Sequence, residues 1–458
     1  MITEEINHAY DGGLYAELIQ NRAFLDDAKS PVHWSVVKDD ASAATIALDP
    51  ANPLNGKLPT SLRLTVTQTT KDHPAGVGNS GYWGIPVHPK TQYRASLWAR
   101  AEAGFSGPLT VSIVSEDGRM VYATEIISGV ASAWKKFEVT LKTGNVAPTA
   151  QARFEVTLDQ PGTIWLNVVS LFPPTWNDRP NCLRKDIMQM LVDLNPKFLR
   201  FPGGNYVEGS DFVNRFNWKQ MIGPVEQRPG HKSNWGYWST DGFGLPEFLG
   251  WCQDIGMEPV LAVFAGYTLN GNHVTNGPAL EPYVQEALEE IEYVTGDAST
   301  KWGAQRIKDG YPNPFPLHYV EIGNEDFFDK SGSYDGRLAQ FYDAIKAKYP
   351  QLQIISTAGV KSRTADLNDE HYYLSEAAME GQSFKYDTYD RANKTKVFVG
   401  EWATQPSSPT PNMAGALGDA AWMCCMERNA DVVIMHCYAP LFVNVSKLKG
   451  SDRSMQWN

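Results

Sequence analysis

The 458-residue chain has the composition of a large globular protein, with 42% hydrophobic and 12% aromatic residues. Its formal net charge of −12 argues against a nucleic-acid partner, and no apolar run approaches the roughly 20 residues of a membrane-spanning helix. The five cysteines are odd in number and lack the spacing of metal ligands, so neither a disulfide framework nor a metal site is predicted.

Residues 1–30 are predicted to open a larger domain. The stretch 1–6 has the character of a strand, and the run 14–20, after Gly12 and Gly13, predicts a short helix. No basic segment followed by an apolar segment stands at the start, so the sequence given predicts no signal peptide.

Residues 31–174 consist of short runs in which polar and apolar residues alternate. Separated by Gly, Pro and Asp turns, these runs predict an inserted antiparallel β-sandwich of jelly-roll type. The clearest runs are 61–66, 93–99, 109–114, 136–141, 152–158 and 163–169. The rings of Trp34, Tyr82 and Trp83 suit sugar binding and core packing equally well.

From residue 175 to residue 458, strand-like and helix-like segments alternate, which indicates a parallel sheet with helical crossovers. The predicted strands are 197–201, 259–264, 319–322, 353–357, 369–373, 397–399 and 432–438. The predicted helices are 184–194, 246–254, 283–293, 338–348 and 414–428. With residues 1–6 as the first strand, the total is eight, and the segments predict an α/β fold, a (β/α)8 TIM barrel into which the sandwich is inserted.

Two of these strands lead into a glycine and then a glutamate. Glu325 follows the apolar run 319–322 and Gly323, and Glu401 follows 397–399 and Gly400. Parallel barrel strands deliver their carboxyl ends to one face, and hydrolysis of a glycosidic bond needs two carboxyl groups there. Each glutamate taken alone is well explained as an ordinary carboxylate at the edge of a loop. The two together favour a catalytic role.

Other polar groups are expected at the same face. Arg200 and Asn205 flank a Pro-Gly-Gly turn at a strand exit, and the loop 223–238 is dense in rings, among them Trp235. His371 lacks the i, i+4 spacing of a zinc site, so a hydrogen-bonding role is favoured over metal binding. No glycine-rich phosphate loop or Gly-x-Ser-x-Gly elbow is present, and no cofactor is predicted.

Six motifs together resemble glycoside hydrolase family 51, the α-L-arabinofuranosidases. They are residues 3–8, 200–205, 223–231, 321–325, 400–402 and 438–442. The alternating region resembles the carbohydrate-binding-type sandwich inserted in larger members. The family also carries a C-terminal β-sandwich, and the sequence given is expected to stop before it.

The resemblance implies a retaining mechanism in which Glu401 is the nucleophile and Glu325 the acid and base, with their carboxyl groups only ~5 Å apart. Arg200 and Tyr373 are implied to orient Glu401. Asn324 is implied to bond the sugar 2-hydroxyl, and Glu4 and Asn205 to hold other hydroxyls. Trp235 and Gln456 complete the predicted substrate site.

The implied reaction is exo-acting release of terminal L-arabinofuranosyl residues from arabinoxylan, arabinan or their oligosaccharides. An endo-glucanase or xylanase on the same barrel and a non-catalytic carbohydrate-binding protein are the alternatives, since a fold does not fix a function. The expected partner is an arabinose-containing oligo- or polysaccharide, without nucleic acid or membrane, and a homo-oligomer is possible. A secreted or periplasmic protein is favoured over a cytoplasmic one because such polymers lie outside the cell.

Overall fold

The region predicted as a sandwich forms two facing five-stranded antiparallel sheets. The computed structural model describes residues 1–405, 412–442 and 444. The ten strands are β1 (Trp34–Val37), β2 (Ala43–Asp49), β3 (Ser61–Gln68), β4 (Ala75–Asn79), β5 (Gln92–Ala101), β6 (Leu109–Ser115), β7 (Val121–Ile127), β8 (Lys135–Lys142), β9 (Ala152–Leu158) and β10 (Gly162–Phe172). One sheet has the order β1-β4-β9-β6-β7 and the other β2-β3-β10-β5-β8.

Alternation along each strand places one set of side chains between the two sheets. In β5, Tyr93, Ala95, Leu97 and Ala99 are buried, and the residues that alternate with them are more exposed. This period of two is the signal from which the sequence predicted six of the strands, and those six are confirmed. The strands β1, β2, β4 and β7 were not predicted.

The second unit is a parallel sheet of seven strands surrounded by helices. Its strands are β11 (Phe198–Phe201), β14 (Glu258–Val263), β15 (Tyr319–Ile322), β16 (Gln353–Ser356), β17 (Leu367–Leu374), β18 (Lys396–Thr404) and β19 (Val433–Tyr438), paired in that order. A separate two-stranded ribbon joins β12 (His231–Lys232) and β13 (Trp238–Ser239). The helices are α1 (Lys185–Leu194), α2 (Leu245–Ile255), α3 (Glu281–Thr295), α4 (Lys301–Lys308), α5 (Tyr334–Lys348), α6 (Glu376–Gly381) and α7 (Met413–Arg428).

The predicted first barrel strand is reduced to a single parallel bridge between Ile2 and Arg200. The backbone N–H of Arg200 donates to the carbonyl of Met1 at 2.9 Å, which extends the curled sheet beyond β11. The (β/α) barrel with an inserted sandwich is confirmed by this arrangement. The exact residue limits of the domains stay a prediction.

The predicted helix at residues 14–20 is wrong, because this segment bonds to distant backbone instead of to itself. The N–H of Ala16 donates to the carbonyl of Cys182 at 3.0 Å, and the N–H of Leu18 donates to that of Leu171 at 3.0 Å. The chain therefore leaves the barrel and returns to it along two neighbouring segments.

Each unit has its own apolar core. Side chains of the two sheets form the core of the sandwich, which Ile19 and Phe24 also join. In the barrel, Leu338, Phe341 and Ile345 of α5 recur at helical spacing and pack toward the sheet. Within the described ranges, none of the helices combines the length and the hydrophobicity that a bilayer crossing requires.

Candidate active site

Six of the nine residues predicted for the substrate site line a single cavity of about 330 Å³. This volume lies in the range of roughly 300–1,000 Å³ typical of small-ligand sites. The six are Glu4, Asn205, Trp235, Glu325, Tyr373 and Glu401. Arg200 and Asn324 are fully buried and lie behind the cavity wall. Gln456 lies outside the described residues, so its predicted role is not placed.

The cavity brings two carboxyl groups together from strands that are not neighbours in the sheet. One oxygen of Glu325, one oxygen of Glu401 and a ring nitrogen of His371 all lie within 4.8 Å of one another. Retaining glycosidases place their carboxyl groups about 5–5.5 Å apart, and inverting enzymes leave about 6.5–9.5 Å for a water. The spacing therefore suits direct attack by one carboxylate.

A tight turn after β15 directs Glu325 into the cavity. Gly323 has φ of 91°, and a Cβ atom there would lie 1.9 Å from Oδ2 of Asp326, so only glycine fits. Asp326 is held by Arg337 and by the hydroxyl of Thr357, each at 2.8 Å. Glu325 itself has φ of 47°, a left-handed conformation that is costly for a non-glycine residue. The surrounding turn maintains this strain, as is common at functional sites.

Each carboxylate oxygen of Glu401 accepts a hydrogen bond. Nη1 of Arg200 donates to Oε1 at 2.7 Å, and the hydroxyl of Tyr373 donates to Oε2 at 2.6 Å. Burial and the charge of Glu401 raise the pKa of Tyr373 well above its ordinary value, so the hydroxyl keeps its proton and remains a donor. The two donors fix the orientation of the carboxylate toward the cavity.

Arg200 is the centre of a buried polar layer beneath the cavity. Its guanidinium donates to both oxygens of Glu321, at 2.6 and 2.9 Å, and to Oδ1 of Asn324 at 2.8 Å. Burial opposes the charge, but the neighbouring carboxylates of Glu321, Asp369 and Glu401 raise the pKa of Arg200 well above its ordinary value. A buried charge is tolerated here because every face of the guanidinium has a partner.

His371 bridges the two halves of the site. Nε2 lies 2.7 Å from Oδ2 of Asp369, and Nδ1 lies 2.9 Å from Glu325 and 3.6 Å from Glu401. Burial disfavours a charged ring, yet the carboxylates of Asp369 and Glu401 raise the pKa of His371 well above its ordinary value. A protonated imidazole donates from both nitrogens, which matches the carboxylate oxygens that lie beside each of them. His371 thus connects Asp369, Glu325 and Glu401 in one hydrogen-bonded network.

Asn324 is held between Arg200 and a carboxylate that the sequence analysis did not single out. Its Nδ2 atom lies 3.2 Å from both oxygens of Glu208, which is buried. Burial raises the pKa of Glu208 well above its ordinary value. These contacts fix which end of the Asn324 amide is the donor, and the predicted bond from Asn324 to a sugar 2-hydroxyl stays a prediction.

The opposite wall is built by Glu4 and the Pro-Gly-Gly turn. Gly204 has φ of 62°, and a Cβ atom there would lie 2.0 Å from a carboxylate oxygen of Glu4, so the turn needs glycine. Burial, and the nearby charge of Glu401, raise the pKa of Glu4 well above its ordinary value. Asn205 contacts Glu325 only weakly, at 3.5 Å. Glu4 and Asn205 thus face the cavity with polar atoms available to a ligand.

Sequence reasoning missed several residues of this site. Glu208, Glu321 and Asp369 make up the buried layer, while Leu269 and Phe328 line the cavity. Glu321 carries a usable signal, because a glutamate inside the apolar run 319–322 has to find a buried partner.

Comparison with known proteins adds a second line of observation. Residues 190–391 match the model of the α-L-arabinofuranosidase 1 domain, and residues 400–457 match that of the α-L-arabinofuranosidase C-terminal domain. A probable α-L-arabinofuranosidase A of Aspergillus flavus is 38% identical over 99% of this chain and 72% of its own length. The α-L-arabinofuranosidase 1 of Arabidopsis thaliana is 37% identical over 99% of this chain and 68% of its own.

Among solved structures, an arabinose-bound MgGH51 α-L-arabinofuranosidase superimposes with a TM-score of 0.88 at 37% identity. The match covers 96% of this chain and 74% of the other. A parallel barrel with two close carboxylates at one mouth is typical of a glycoside hydrolase. The chain belongs to the α-L-arabinofuranosidases of glycoside hydrolase family 51.

Proposed function

We propose that this protein releases terminal α-L-arabinofuranosyl residues by a retaining double displacement. The observation that carries the proposal is the placement of the Glu325 and Glu401 oxygens within 4.8 Å of each other. Glu401, with both oxygens bonded, is the oriented group and takes the role of nucleophile. Glu325, at the strained turn beside His371, takes the role of acid and base.

In the first step, an oxygen of Glu401 forms a bond to the anomeric carbon while the glycosidic C–O bond breaks. Glu325 gives its proton to the departing oxygen, so the leaving group departs as a neutral alcohol. In the second step, Glu325 accepts a proton from water, and the water oxygen attacks the anomeric carbon. The arabinosyl–Glu401 ester bond then breaks, which regenerates both carboxyl groups and releases arabinose with its original configuration.

The remaining polar residues are assigned to sugar binding. Glu4 and Asn205 face the cavity and hold hydroxyl groups of the arabinofuranosyl ring, and Trp235 provides an apolar wall. Asn324 is fully buried beneath the cavity and held by Arg200 and Glu208, and we assign to it a hydrogen bond to the 2-hydroxyl that forms when binding of the ring makes its amide accessible. Hydrogen bonds of this kind accelerate the reaction only if they strengthen in the transition state.

The proposed substrates are arabinoxylan, arabinan and their oligosaccharides, and the arabinose-bound relative supports an arabinose-containing ligand. Since these polymers lie outside cells, action in an extracellular or periplasmic space is part of the proposal. A homo-oligomer is compatible with it.

The stereochemistry of the product tests the mechanism. Hydrolysis of 4-nitrophenyl α-L-arabinofuranoside is followed by proton NMR from the first minute, and the α-anomer of arabinose is expected before mutarotation. First appearance of the β-anomer would contradict the retaining assignment. Parallel assays with an aryl xyloside and a soluble glucan test the alternative of an endo-acting enzyme, for which turnover of the glucan and none of the arabinofuranoside is expected.

A further inference from the structure

A second cavity, larger than the catalytic one, lies where the sandwich meets the barrel. Its volume is about 740 Å³, and it is lined from the sandwich side by Tyr82, Trp83 and Thr91 and from the barrel side by His8, Arg184 and Asp186. We refer to it as the interdomain cavity. Of the nine residues predicted for the substrate site, the eight that the structure describes do not line it.

Aromatic rings form one wall of the interdomain cavity, and one of them is open to solvent. Trp83 is 40% exposed, which is unusual for so large an apolar side chain. Tyr82 and Trp83 pack against His8, with ring centroids 5.6 and 5.5 Å away. Gly12 lies directly beneath them, and a Cβ atom there would be 2.6 Å from Tyr82 and 2.9 Å from Trp83. The barrel backbone is thus shaped to receive these two rings.

The interdomain cavity adjoins the catalytic cavity along two chain segments. In the first, Ile2, Thr3, Glu4 and Ile6 line the catalytic cavity, while His8 and Ala9 line the interdomain cavity. In the second, Ala439 and Pro440 line the former, while Phe442 and Asn444 line the latter. Residues that are neighbours in the chain thus line the two cavities along both segments.

A ring contact also links the two cavities. His8 stacks on Tyr237 with centroids 3.8 Å apart, and the hydroxyl of Tyr237 donates to Glu5 at 2.7 Å. Glu5 is the neighbour of Glu4 in the catalytic wall. The exposed ring is therefore linked, through His8 and Tyr237, to the chain segment whose other residues line the catalytic cavity.

We propose that the interdomain cavity binds the neutral main chain of the polysaccharide whose arabinosyl side group occupies the catalytic cavity. Flat rings with hydroxyl and charged groups around them suit a sugar, whose faces are apolar and whose edges make hydrogen bonds. The net charge of −12 disfavours a polyanionic ligand. This inference rests on the proposed function, and it assigns to the sandwich a share in choosing between polymer and small substrate.

The test compares two substrates on the same full-length variants. Trp83→Ala is expected to lower kcat/KM on soluble arabinoxylan by about five- to tenfold, since stacking on one ring contributes modestly. Turnover of 4-nitrophenyl arabinofuranoside, which has no main chain, is expected to stay within twofold. The matched control is Trp134→Ala, since Trp134 lies in the same sandwich, bonds to the carbonyl of Pro53 at 2.9 Å and does not line the cavity.

A second variant covers the case in which Trp83→Ala fails to fold. Trp83→Leu keeps apolar volume but removes the flat ring, and the same selective loss on polymer is expected. An unchanged ratio of polymer to aryl activity in both variants overturns the inference, as does an equal fall of that ratio in Trp134→Ala. If the unaltered protein does not hydrolyse the aryl arabinofuranoside, the proposed function itself is refuted. Failure of the further inference and failure of the proposed function therefore give different results.

Discussion

Glu401 and Glu325 share one cavity, but their surroundings differ in kind. Glu401 sits within strand β18 and receives one donor on each oxygen, from Arg200 and Tyr373, at distances below 2.8 Å. Glu325 sits on a left-handed turn outside its strand, with a weak contact to Asn205 at 3.5 Å and a bond to His371. A nucleophile benefits from one fixed orientation, whereas an acid and base must release and regain a proton in each cycle.

Removal of the carboxylate of Glu401, whose orientation is fixed at both oxygens, should cause the largest loss of activity. Glu401→Ala is expected to lower kcat on 4-nitrophenyl α-L-arabinofuranoside by on the order of 10⁴-fold or more, because loss of a nucleophile disables the catalytic unit. Added azide is expected to replace the carboxylate and to give an arabinosyl azide of inverted configuration, detected by NMR. Activity within tenfold of the unaltered protein would refute the assignment of Glu401.

Removal of the less constrained group should give a smaller loss that depends on the leaving group. Glu325→Ala is expected to cost about 10²–10⁴-fold on natural arabinosides, the usual range for a general acid and base. For bond cleavage in a nitrophenyl substrate the loss should be much smaller, because nitrophenolate needs no proton to depart. Azide is expected to give a product of retained configuration. Equal losses on both substrates would contradict this role.

A smaller change removes only the hydrogen bond that Tyr373 donates to Glu401. Tyr373→Phe is expected to lower kcat/KM by about ten- to hundredfold, since a hydrogen bond to a charged group contributes roughly 1.5–3 kcal/mol. Tyr372→Phe is the matched control, because the Tyr372 hydroxyl bonds to Glu370, away from the catalytic pair. Similar losses in the two variants would show that the Tyr373 contact with Glu401 has no special role.

The smallest expected effect concerns pH. The folded-state pKa of His371 is raised above its unfolded value of about 6.5, so its contribution to stability is complete below that pH. The contribution is lost as the pH rises through the higher folded-state pKa. The difference in Tm between the unaltered protein and His371→Gln should therefore shrink from acidic to alkaline pH. A difference that grows with pH would contradict a protonated His371 between its carboxylates.

Local patterns in the sequence predicted the barrel strands and the two glutamates because both signals are short. An apolar run that ends in Gly and Glu is visible within ten residues. By contrast, β4 contains two glycines in five residues, which hides its strand character, although all five are buried. A Cβ atom on Gly76 would lie 2.0 Å from the carbonyl oxygen of Val156, so close packing of backbones decides this strand.

The buried layer of the site was harder to predict for a related reason. Glu208 meets Asn324 across 116 positions, and nothing in its neighbourhood in the chain indicates that partner. The segment 14–20 shows the opposite error. Its sequence pattern predicted a helix, but its backbone forms hydrogen bonds with Leu171 and Cys182 instead. In both cases contacts between distant segments outweighed local preference.

The pairing of Ala16 with Cys182 has a consequence for how the sandwich is attached. An insert whose entry and exit points are hydrogen-bonded neighbours is an excisable module, because a short splice could join the cut ends without stretching the host. A shortened protein spliced between residues 16 and 182 should keep turnover of an aryl arabinofuranoside, measured beside its Tm. The difference in activity on long polymers between the shortened and the unaltered protein would then measure the contribution of the sandwich to polymer recognition.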